Sequence, residues 1–452
     1  MGNISGPAAT QALVDSLAGL KLEDAPASVR SVARHCLLDW FGCALAGSRE
    51  PLSLILIHET AARETGEATL AGRPERTTPL TAALVNGAMS HALDFDDTHW
   101  LMNGHPSVPV VPGVLALAEQ EGCDGAAFLA AVIAGIEFEC RLGALIGAPH
   151  YAAGFHATGT LGTFGAAAAA SHLLGLDRVG WCHAIGLAGT QAAGLKSGFG
   201  TMAKPLHAGR AASNGLLAAL LARGGFTGNP AIIETAQGFA ATHAGGAIDA
   251  GRLVRIGEHW LITETLFKYH ASCYLTHAPI EAASHLRAQG LGAEEIESVQ
   301  VHGSTTCVGV CDIAEPSTGL EGKFSLRATT AMALLGDDTS DPATFNDERM
   351  RAHDLRTLRD RVVFSPELGL PATRATVIVR AKGRELTAEA DTGQPASDLD
   401  AQWSKLSAKF FSLAEPVISR ENAKALRGAV AEIEDVPSVR DLASLLRPAA
   451  TA

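Results

Sequence analysis

The sequence predicts a mainly α protein in which a smaller α+β segment lies between two helical regions. Up to about residue 265, apolar residues recur at three- and four-residue spacing, which is the period of an amphipathic helix. After Phe267, β-branched residues alternate with polar ones in short runs punctuated by glycine, which indicates strands. The chain has 452 residues, more than one hydrophobic core usually contains, so two domains are expected.

Helices account for the first part of the chain. The run SVRSVARHCLLDWFGCALAGS has the helical period and its helix ends near Gly47. The same period recurs in PLTAALVNGAMSHAL, PVVPGVLALAEQEG, GAAFLAAVIAGIEFECRLGALIG, GTLGTFGAAAAASHLLGL, GWCHAIGLAGTQAAGL and HAGRAASNGLLAALLARGG. Their alanine and glycine allow helix axes to approach closely. Residues 1–266 are therefore predicted to form an all-helical domain without strands.

The α+β segment is predicted over residues 267–396. Its strands are expected in IESVQVHGS, DRVVFSPE, TRATVIVRAKG and RELTAEAD, and its helices in THAPIEAASHLRAQG and KFSLRATTAMALLG. Residues 397–452 return to the helical period in DLDAQWSKLSAKFFSLAE and NAKALRGAVAEIE. This C-terminal tail is expected to pack back on the first domain.

Charge and hydropathy exclude several classes of partner. The formal net charge is −13, which argues against nucleic acid and anionic membranes because both require a basic face. No apolar run reaches the roughly 18 residues of a membrane span, and a cytoplasmic location is expected. Between Tyr151 and Pro230 the only acidic residue is Asp177, against five lysines and arginines, which favours a small anion as the ligand.

The cysteines and glycines do not indicate a cofactor. Eight cysteines occur without a CxxC pair, so reduced structural thiols are expected. The sequence has no GxGxxG after a strand, no Walker A motif and no iron–sulfur pattern. We therefore predict neither a metal nor an organic cofactor. The many alanine- and glycine-rich helices also favour packing against a second copy, so a homodimer is expected.

Three histidines and three aspartates lie between residues 90 and 105. His91 and Asp94 are three residues apart at the end of a predicted helix, so they are expected to point from one helical face. Such groups could bind a metal, transfer protons, or only cap helices and form turns. The spacing HxxDxDDTH is not a recognised set of metal ligands.

Two later segments combine glycine with titratable side chains. In GFHATGTLGTFG, His156 precedes an alanine-rich helix whose free N–H groups suit a carboxylate, although a lone histidine is often only a core residue. In GTMAKPLHAGR, Lys204 lies among apolar residues with no acid nearby, so it either binds an anion or has a depressed pKa. His207 and Arg210 follow and are expected on the same side of a helix.

The segment LFKYHASCYLTHAPIEA lies where the two predicted domains meet. It contains Lys268, His270, Cys273 and His277, and clefts between domains are frequent ligand sites. No nucleophile signature surrounds Cys273, so covalent catalysis is not favoured.

The motifs HALDFDDTH, GHPS, GFHATGTLGTFGAA and GFGTMAKPLHAGRAA and the SC-containing junction occur in this order across almost the whole chain. In this set and order the sequence resembles the MmgE/PrpD family. That family includes 2-methylcitrate dehydratases, cis-aconitate decarboxylases and iminodisuccinate epimerases. The resemblance implies a large helical domain built from the N-terminal part and the C-terminal tail, with the smaller α+β domain inserted as a lid.

The resemblance also implies the positions of the catalytic residues. They are Asp94, Thr98, His105, His156, Lys204 and Lys268. Histidine suits proton transfer, and lysine suits carboxylate binding and the stabilisation of negative charge. Asp94 and Thr98 are expected to orient a histidine or the substrate. Further substrate contacts are expected from Asp97, His207, Arg210, Cys273 and Arg327.

One departure from the family pattern affects the choice of activity. The decarboxylases and dehydratases commonly have a tyrosine in an FSxPY-like segment, whereas this chain has KFSLRAT with Arg327 there. Arg327 is instead expected to hold a substrate carboxylate. The expected function is a lyase that acts next to a carboxylate of a small di- or tricarboxylate. An epimerase of the iminodisuccinate type and a non-catalytic helical binding protein stay open as alternatives.

Overall fold

The computed structural model of the protein describes residues 8–253 and 258–448, and this part is mainly helical, as predicted. The helices are α1 Ala9–Leu17, α2 Ala27–Gly47, α3 Pro51–Glu59, α4 Pro79–Ser90, α5 Ser107–Glu121, α6 Gly125–Ile146, α7 Ala148–Ala152, α8 Ala157–Leu173, α9 Arg178–Gly189, α10 Ala203–Arg223, α11 Phe239–His243, α12 His277–Ala288, α13 Gly319–Gly322, α14 Leu326–Leu335, α15 Asp347–Arg351, α16 His353–Arg359, α17 Leu399–Ala414, α18 Arg420–Ala431 and α19 Val439–Ser444. The strands are β1 Ala68–Thr69, β2 Arg76–Thr77, β3 Ile296–Ser304, β4 Val362–Glu367, β5 Arg374–Ala381 and β6 Arg384–Asp391.

The chain divides into two compact units. The first contains the described chain up to Ala92, then Asp96–Phe267, then the described chain from Ala396 onward. The second contains Leu93–Phe95 and Lys268–Pro395. That the second unit acts as a lid stays a prediction from the family resemblance.

Helix α10 is central to the first unit and packs against α8, α4, α9 and α5. Small residues make the α4–α10 contact possible. A Cβ atom on Gly209 would lie 2.1 Å from the carbonyl oxygen of Leu84, and a Cβ atom on Gly87 would lie 2.8 Å from Cα of Gly209. The two backbones therefore touch, so this crossing requires glycine on both helices.

The C-terminal tail belongs to the helical unit, where α17 packs along α2. Phe410 on α17 is 1% exposed and contacts α2 beside Gly42. The neighbouring Lys409 forms a buried ion pair with Asp39 of α2, in which Nζ and Oδ1 are 2.6 Å apart. Helix α17 thus buries apolar surface against α2 and pairs a positive charge with Asp39 of that helix.

The prediction that no strand precedes residue 265 is wrong in one detail. The two-residue strands β1 and β2 pair antiparallel, with Ala68 opposite Thr77. They are too short to show alternation of polar and apolar residues in the sequence. Both strands lie in the segment that connects α3 and α4.

The second unit contains a four-stranded sheet in the order β4-β3-β5-β6. Strand β3 is parallel to β4 and antiparallel to β5, and β5 and β6 form an antiparallel hairpin. Lys382 and Gly383 close that hairpin with φ of 50° and 71°, as a two-residue turn with positive φ at both positions requires. Helix α12 packs against β5, β6 and α14.

Among the described residues no helix is both long and apolar enough to cross a membrane.

Candidate active site

The loop after α4 does not continue the helix, which corrects one expectation. The α-helix stops at Ser90, His91 is its C-cap, and Asp94 has φ of +52°. Because the left-handed backbone at Asp94 turns the chain away, His91 and Asp94 do not share a helical face. Asp94 belongs to the second compact unit, whereas His91 belongs to the first.

Asp96 is the centre of a buried group of polar side chains in the helical unit. Its carboxylate oxygens lie 2.9 and 3.0 Å from Nδ1 of His91, and its Oδ2 lies 2.8 Å from Nδ1 of His105. The backbone N–H of His105 donates to Oγ1 of Thr158 at the start of α8 (3.1 Å). The Asp96 carboxylate therefore contacts both imidazole rings, and the centroids of these rings are 4.5 Å apart.

The protonation states of this group follow from burial and charge. Burial opposes ionisation of Asp96, but His91 and His105 outweigh it and hold the pKa of that carboxyl well below its usual range. Burial lowers the pKa of His91 to about 4, against the opposing effect of Asp96 and with reinforcement from Lys204. Asp96 is therefore an anion near neutral pH, and His91 is uncharged.

His156 and His207 form a second histidine pair. His156 is the N-cap of α8, and its backbone N–H donates to the carbonyl oxygen of Gly194 (3.0 Å). Its Nδ1 lies 3.0 Å from Nδ1 of His207 on α10. A Cβ atom on Gly159 would lie 2.5 Å from the carbonyl oxygen of Ala193 and 3.1 Å from Cβ of His207. Glycine at this position of α8 therefore permits the approach of α10.

Lys204 lies in the first turn of α10 and is 8% exposed. Its Nζ lies 5.4 Å from the ring centre of Phe199, and the same ring packs edge-on against His156. Burial, followed by the charge of Lys204, lowers the pKa of His156 well below its usual range and lowers that of His207 as well. These histidines are therefore neutral bases beside a fixed positive charge.

We call His91, His105, His156 and His207 the histidine cluster. The rings of His91 and His156 are 6.0 Å apart between centroids, which connects the two pairs. Together with Asp96 and Lys204, the cluster combines imidazole rings, one buried anion and one cation. Such a set can bind a carboxylate and exchange protons with a carbon next to it.

The same residues offer donor atoms to a metal. Ligand atoms of His91, Asp96 and His105 lie within 4.8 Å of one another. However, Nδ1 of His91 forms hydrogen bonds with the Asp96 carboxylate (2.9 and 3.0 Å), and Nδ1 of His105 lies 2.8 Å from Oδ2 of Asp96. The adjacent Lys204 would also repel a cation. That this arrangement binds an organic anion and no metal stays a prediction.

Two predicted residues of the helical unit, Thr98 and Asp97, lie in different surroundings. Thr98 is half-buried, and its Oγ1 has no hydrogen-bond partner among the described residues. Asp97 is 0% exposed and bonds to Ser107 (backbone N–H 3.2 Å, Oγ 2.5 Å), while burial and then Asp39 raise its pKa to about 8. Asp97 therefore binds the first residue of α5, and its expected contact with the substrate stays a prediction.

Arg210 corrects another expectation. It is exposed, whereas Lys204 on the same helix is buried. Six residues turn an α-helix by about 600°, so the two side chains leave α10 on different sides. Arg210 does not join the histidine cluster.

The second unit contains the remaining predicted residues. Lys268 is 1% exposed, and its Nζ donates to the carbonyl oxygen of Asp94 (2.6 Å) and lies 3.2 Å from Oδ1 of that residue. Cys273 is 8% exposed, and its thiol has a lowered pKa because of Cys311 and, against burial, the charge of Lys268. Arg327 lies in the first turn of α14, and its Nε is buried without a hydrogen-bond partner among the described residues.

The sequence predictions did not include His91 and Asp96 in the site. The sequence does contain an indication of both residues, since they lie in the same acidic and histidine-rich loop as His105. The residue types do not show which aspartate lies 2.8–3.0 Å from the rings of His91 and His105, and they do not reveal the left-handed backbone at Asp94.

Comparison with known proteins supports the motif resemblance. A model of the MmgE/PrpD N-terminal domain matches residues 11–249, and a model of the C-terminal domain matches residues 270–435. The chain is 27% identical to mouse cis-aconitate decarboxylase over 97% of this chain and 93% of that protein. It is 31% identical to Aspergillus terreus cis-aconitate decarboxylase (70% and 69% covered) and 27% identical to Salmonella typhimurium 2-methylcitrate dehydratase (80% and 78% covered).

Proposed function

Because the chain belongs to the MmgE/PrpD family, we propose that it is a lyase that acts on a small di- or tricarboxylate at the carbon next to a carboxylate. The observation that carries the proposal is the histidine cluster with Lys204 beside it, buried in the helical unit. The relatives named above are a decarboxylase and a dehydratase, which favours a lyase over an epimerase.

Both lyase reactions face the same physical problem. Dehydration removes a proton beside a carboxylate before or while a hydroxyl leaves, and decarboxylation leaves an electron pair on such a carbon when carbon dioxide departs. In either case negative charge develops beside a group that is already an anion. A fixed cation and donors in a site shielded from water reduce that barrier most effectively. Lys204 provides the cation.

Histidines then perform the proton transfers. We assign these transfers to His105 and His156, because an imidazole nitrogen can accept a proton and return it. The lowered pKa of His156, caused by burial and by Lys204, keeps this ring ready to accept a proton. The hydroxyl of Thr98, which has no partner among the described residues, is proposed to orient the substrate.

In the second unit, we propose that Lys268 and Arg327 bind carboxylate groups and that Asp94 orients Lys268. The short contacts between Asp94 and Lys268 support this orienting role. Arg327 occupies the segment where the family commonly has a tyrosine, and its buried Nε is a donor suited to a carboxylate. Cys273 is proposed as a neighbouring substrate contact.

The test is proton NMR of a panel of polycarboxylates in heavy water. A lyase converts cis-aconitate, citrate or 2-methylcitrate into products that lack water or carbon dioxide, and ultraviolet absorbance of the conjugated alkene changes in parallel. An epimerase introduces deuterium at the α carbon without either loss. A binding protein does neither, and this outcome with folded protein would remove the proposal.

We further propose that catalysis needs no metal or organic cofactor and that the enzyme is a cytoplasmic homodimer. Lys204 and the histidine cluster already supply charge stabilisation and proton transfer, so dialysis against a chelator should leave activity unchanged. All eight cysteines are free, which fits a reducing compartment. Sedimentation equilibrium should give twice the chain mass of 46.7 kDa.

A further inference from the structure

The half-buried ring of Phe199 contacts two buried residues of the proposed site. Its centre lies 4.9 Å from the centre of the His156 ring, with the two planes at 85°, and 5.4 Å from Nζ of Lys204. His156 is 2% exposed and Lys204 is 8% exposed, whereas Phe199 is partly exposed. The Phe199 ring therefore covers part of the surface of both residues.

The backbone that carries Phe199 is bonded to the segment that leads into α8. The backbone N–H of His156 donates to the carbonyl oxygen of Gly194 (3.0 Å), and the N–H of Lys196 donates to the carbonyl oxygen of Gly154 (2.8 Å). The N–H of Phe199 then donates to the carbonyl oxygen of Lys196 (2.9 Å). These bonds fix where the Phe199 ring lies relative to His156.

Glycine occurs on both sides of Phe199 for two different reasons. A Cβ atom on Gly198 would lie 3.3 Å from Cβ of Ala203 and 3.4 Å from Cε1 of His207, which leaves little room for a side chain. Gly200 has φ of +78°, a backbone conformation that favours glycine. The sequence GFG therefore allows the chain to bring Phe199 close to the start of α10.

We propose that Phe199 is a positioning residue whose ring covers His156 against water and holds the ammonium group of Lys204 beside that histidine. This inference rests on the proposed function, in which His156 transfers protons and Lys204 stabilises negative charge. A cation within about 6 Å of an aromatic ring centre is attracted to the face of the ring. A fixed cation in a site shielded from water stabilises developing negative charge most effectively.

The cover also affects the basicity of His156. Burial is the largest cause of its lowered pKa, and Phe199 contributes to that burial. The charges that act on it as well are those of Lys204, His91, His105 and His207. Loss of the Phe199 ring should therefore raise the pKa of His156.

Chemical modification tests the cover without any turnover. Diethyl pyrocarbonate adds an ethoxycarbonyl group to a neutral imidazole nitrogen and releases ethanol and carbon dioxide. Mass spectrometry of the peptide that contains His156 gives the rate at this residue at pH 8, where an ordinary imidazole is neutral. Phe199→Ala should raise that rate about tenfold or more, because a buried group becomes open to solvent. An unchanged rate would overturn the proposal.

Kinetics separate the cover of His156 from the attraction to Lys204. Phe199→Ala removes both and should lower kcat/KM by about 10- to 30-fold and move the acid limb of its pH profile to higher pH. Phe199→Leu keeps apolar bulk but has no ring face, so kcat/KM should fall by about two- to fivefold with the limb unmoved. Phe199→Tyr keeps the ring and should stay within about threefold of wild type. Equal kcat/KM of wild type and Phe199→Leu would overturn the role assigned to the ring beside Lys204.

The matched control is Phe411→Ala. Phe411 is also half-buried in the helical unit, and its ring packs edge-to-face against Phe410 with the centres 5.6 Å apart. This variant should keep kcat/KM within about twofold of wild type and leave the modification rate of His156 unchanged.

Two other outcomes are also decided by these measurements. If wild-type protein turns over no polycarboxylate, the proposed function fails, whereas the modification rate still decides whether Phe199 covers His156. If Phe199→Ala does not fold, Phe199→Val takes its place, with faster modification of His156 expected and an unchanged rate overturning the proposal.

Discussion

Replacement of Lys409 by methionine should destabilise the helical unit by about 3 kcal/mol at pH 8. Nζ of Lys409 lies 2.6 Å from Oδ1 of Asp39, and the two side chains are 6% and 1% exposed. Methionine is similar in length but has no charge. The substitution therefore leaves the Asp39 carboxylate buried without its cation.

The magnitude follows from what remains around Asp39. Removal of one partner of a buried ion pair costs roughly 3–5 kcal/mol, whereas an exposed pair contributes about 0–1 kcal/mol. The backbone of Asp97 still acts to lower the pKa of Asp39 in the variant. This remaining interaction places the expected loss at the lower end of the range for buried pairs.

The loss of stability in Lys409→Met should increase with pH. Burial raises the pKa of Asp39 even though Lys409 opposes this effect, so the pKa rises further when Lys409 is removed. The folded variant then retains a proton that the unfolded chain releases above a pKa of about 3.9. Its stability relative to wild type therefore falls as pH increases from 5 to 8.

Urea unfolding followed by tryptophan fluorescence measures this loss, because Trp40 is buried next to Asp39 on α2. The matched control adds Asp39→Asn to Lys409→Met and should recover at least half of the loss at pH 8, since no buried charge is left alone. The reasoning is refuted if Lys409→Met loses less than about 1 kcal/mol at pH 8. An equal loss at pH 5 and pH 8 would refute the assignment of the effect to Asp39.

Three further substitutions test the site. Lys204→Met should lower kcat/KM by about 10²- to 10³-fold and move the acid limb of its pH profile to higher pH, because a charge that lowers the pKa of His156 is gone. An unmoved limb would exclude an effect of Lys204 on His156. Gly159→Ala places a Cβ atom 2.5 Å from the carbonyl oxygen of Ala193 and should cost about 1–3 kcal/mol in thermal or urea unfolding. Gly428→Ala, which meets nothing within 4 Å, is its control and should not destabilise. Arg327→Gln should raise KM about tenfold or more with little change in kcat if its guanidinium binds a carboxylate, and an unchanged KM would exclude it.

Most of the regular structure could be predicted because it depends on local periodicity. The helical period locates α2 to within a residue, and alternation locates β3 and β6 at their observed bounds. The short pair of β1 and β2 could not be found, since two residues cannot display alternation. A local pattern also shows which face of a helix is buried, but not which partner covers it.

The site illustrates that limit. Motif resemblance identified His105, His156 and Lys204, which the structure places in or beside the histidine cluster. The contact between His156 and His207 spans 51 positions in sequence, so no local pattern could have revealed it. In the loop after α4, choosing Asp96 over its neighbours requires knowledge of the positive φ at Asp94.

The most direct test of the histidine cluster as a proton-transfer site is proton NMR of cis-aconitate, citrate and 2-methylcitrate in heavy water with wild type and His156→Gln. We expect wild type to convert at least one of these acids, and the folded variant to do so at least about 10²-fold more slowly. Equal rates for the two proteins would show that His156 transfers no proton, and the absence of both turnover and deuterium uptake with folded wild type would contradict a lyase role for the cluster.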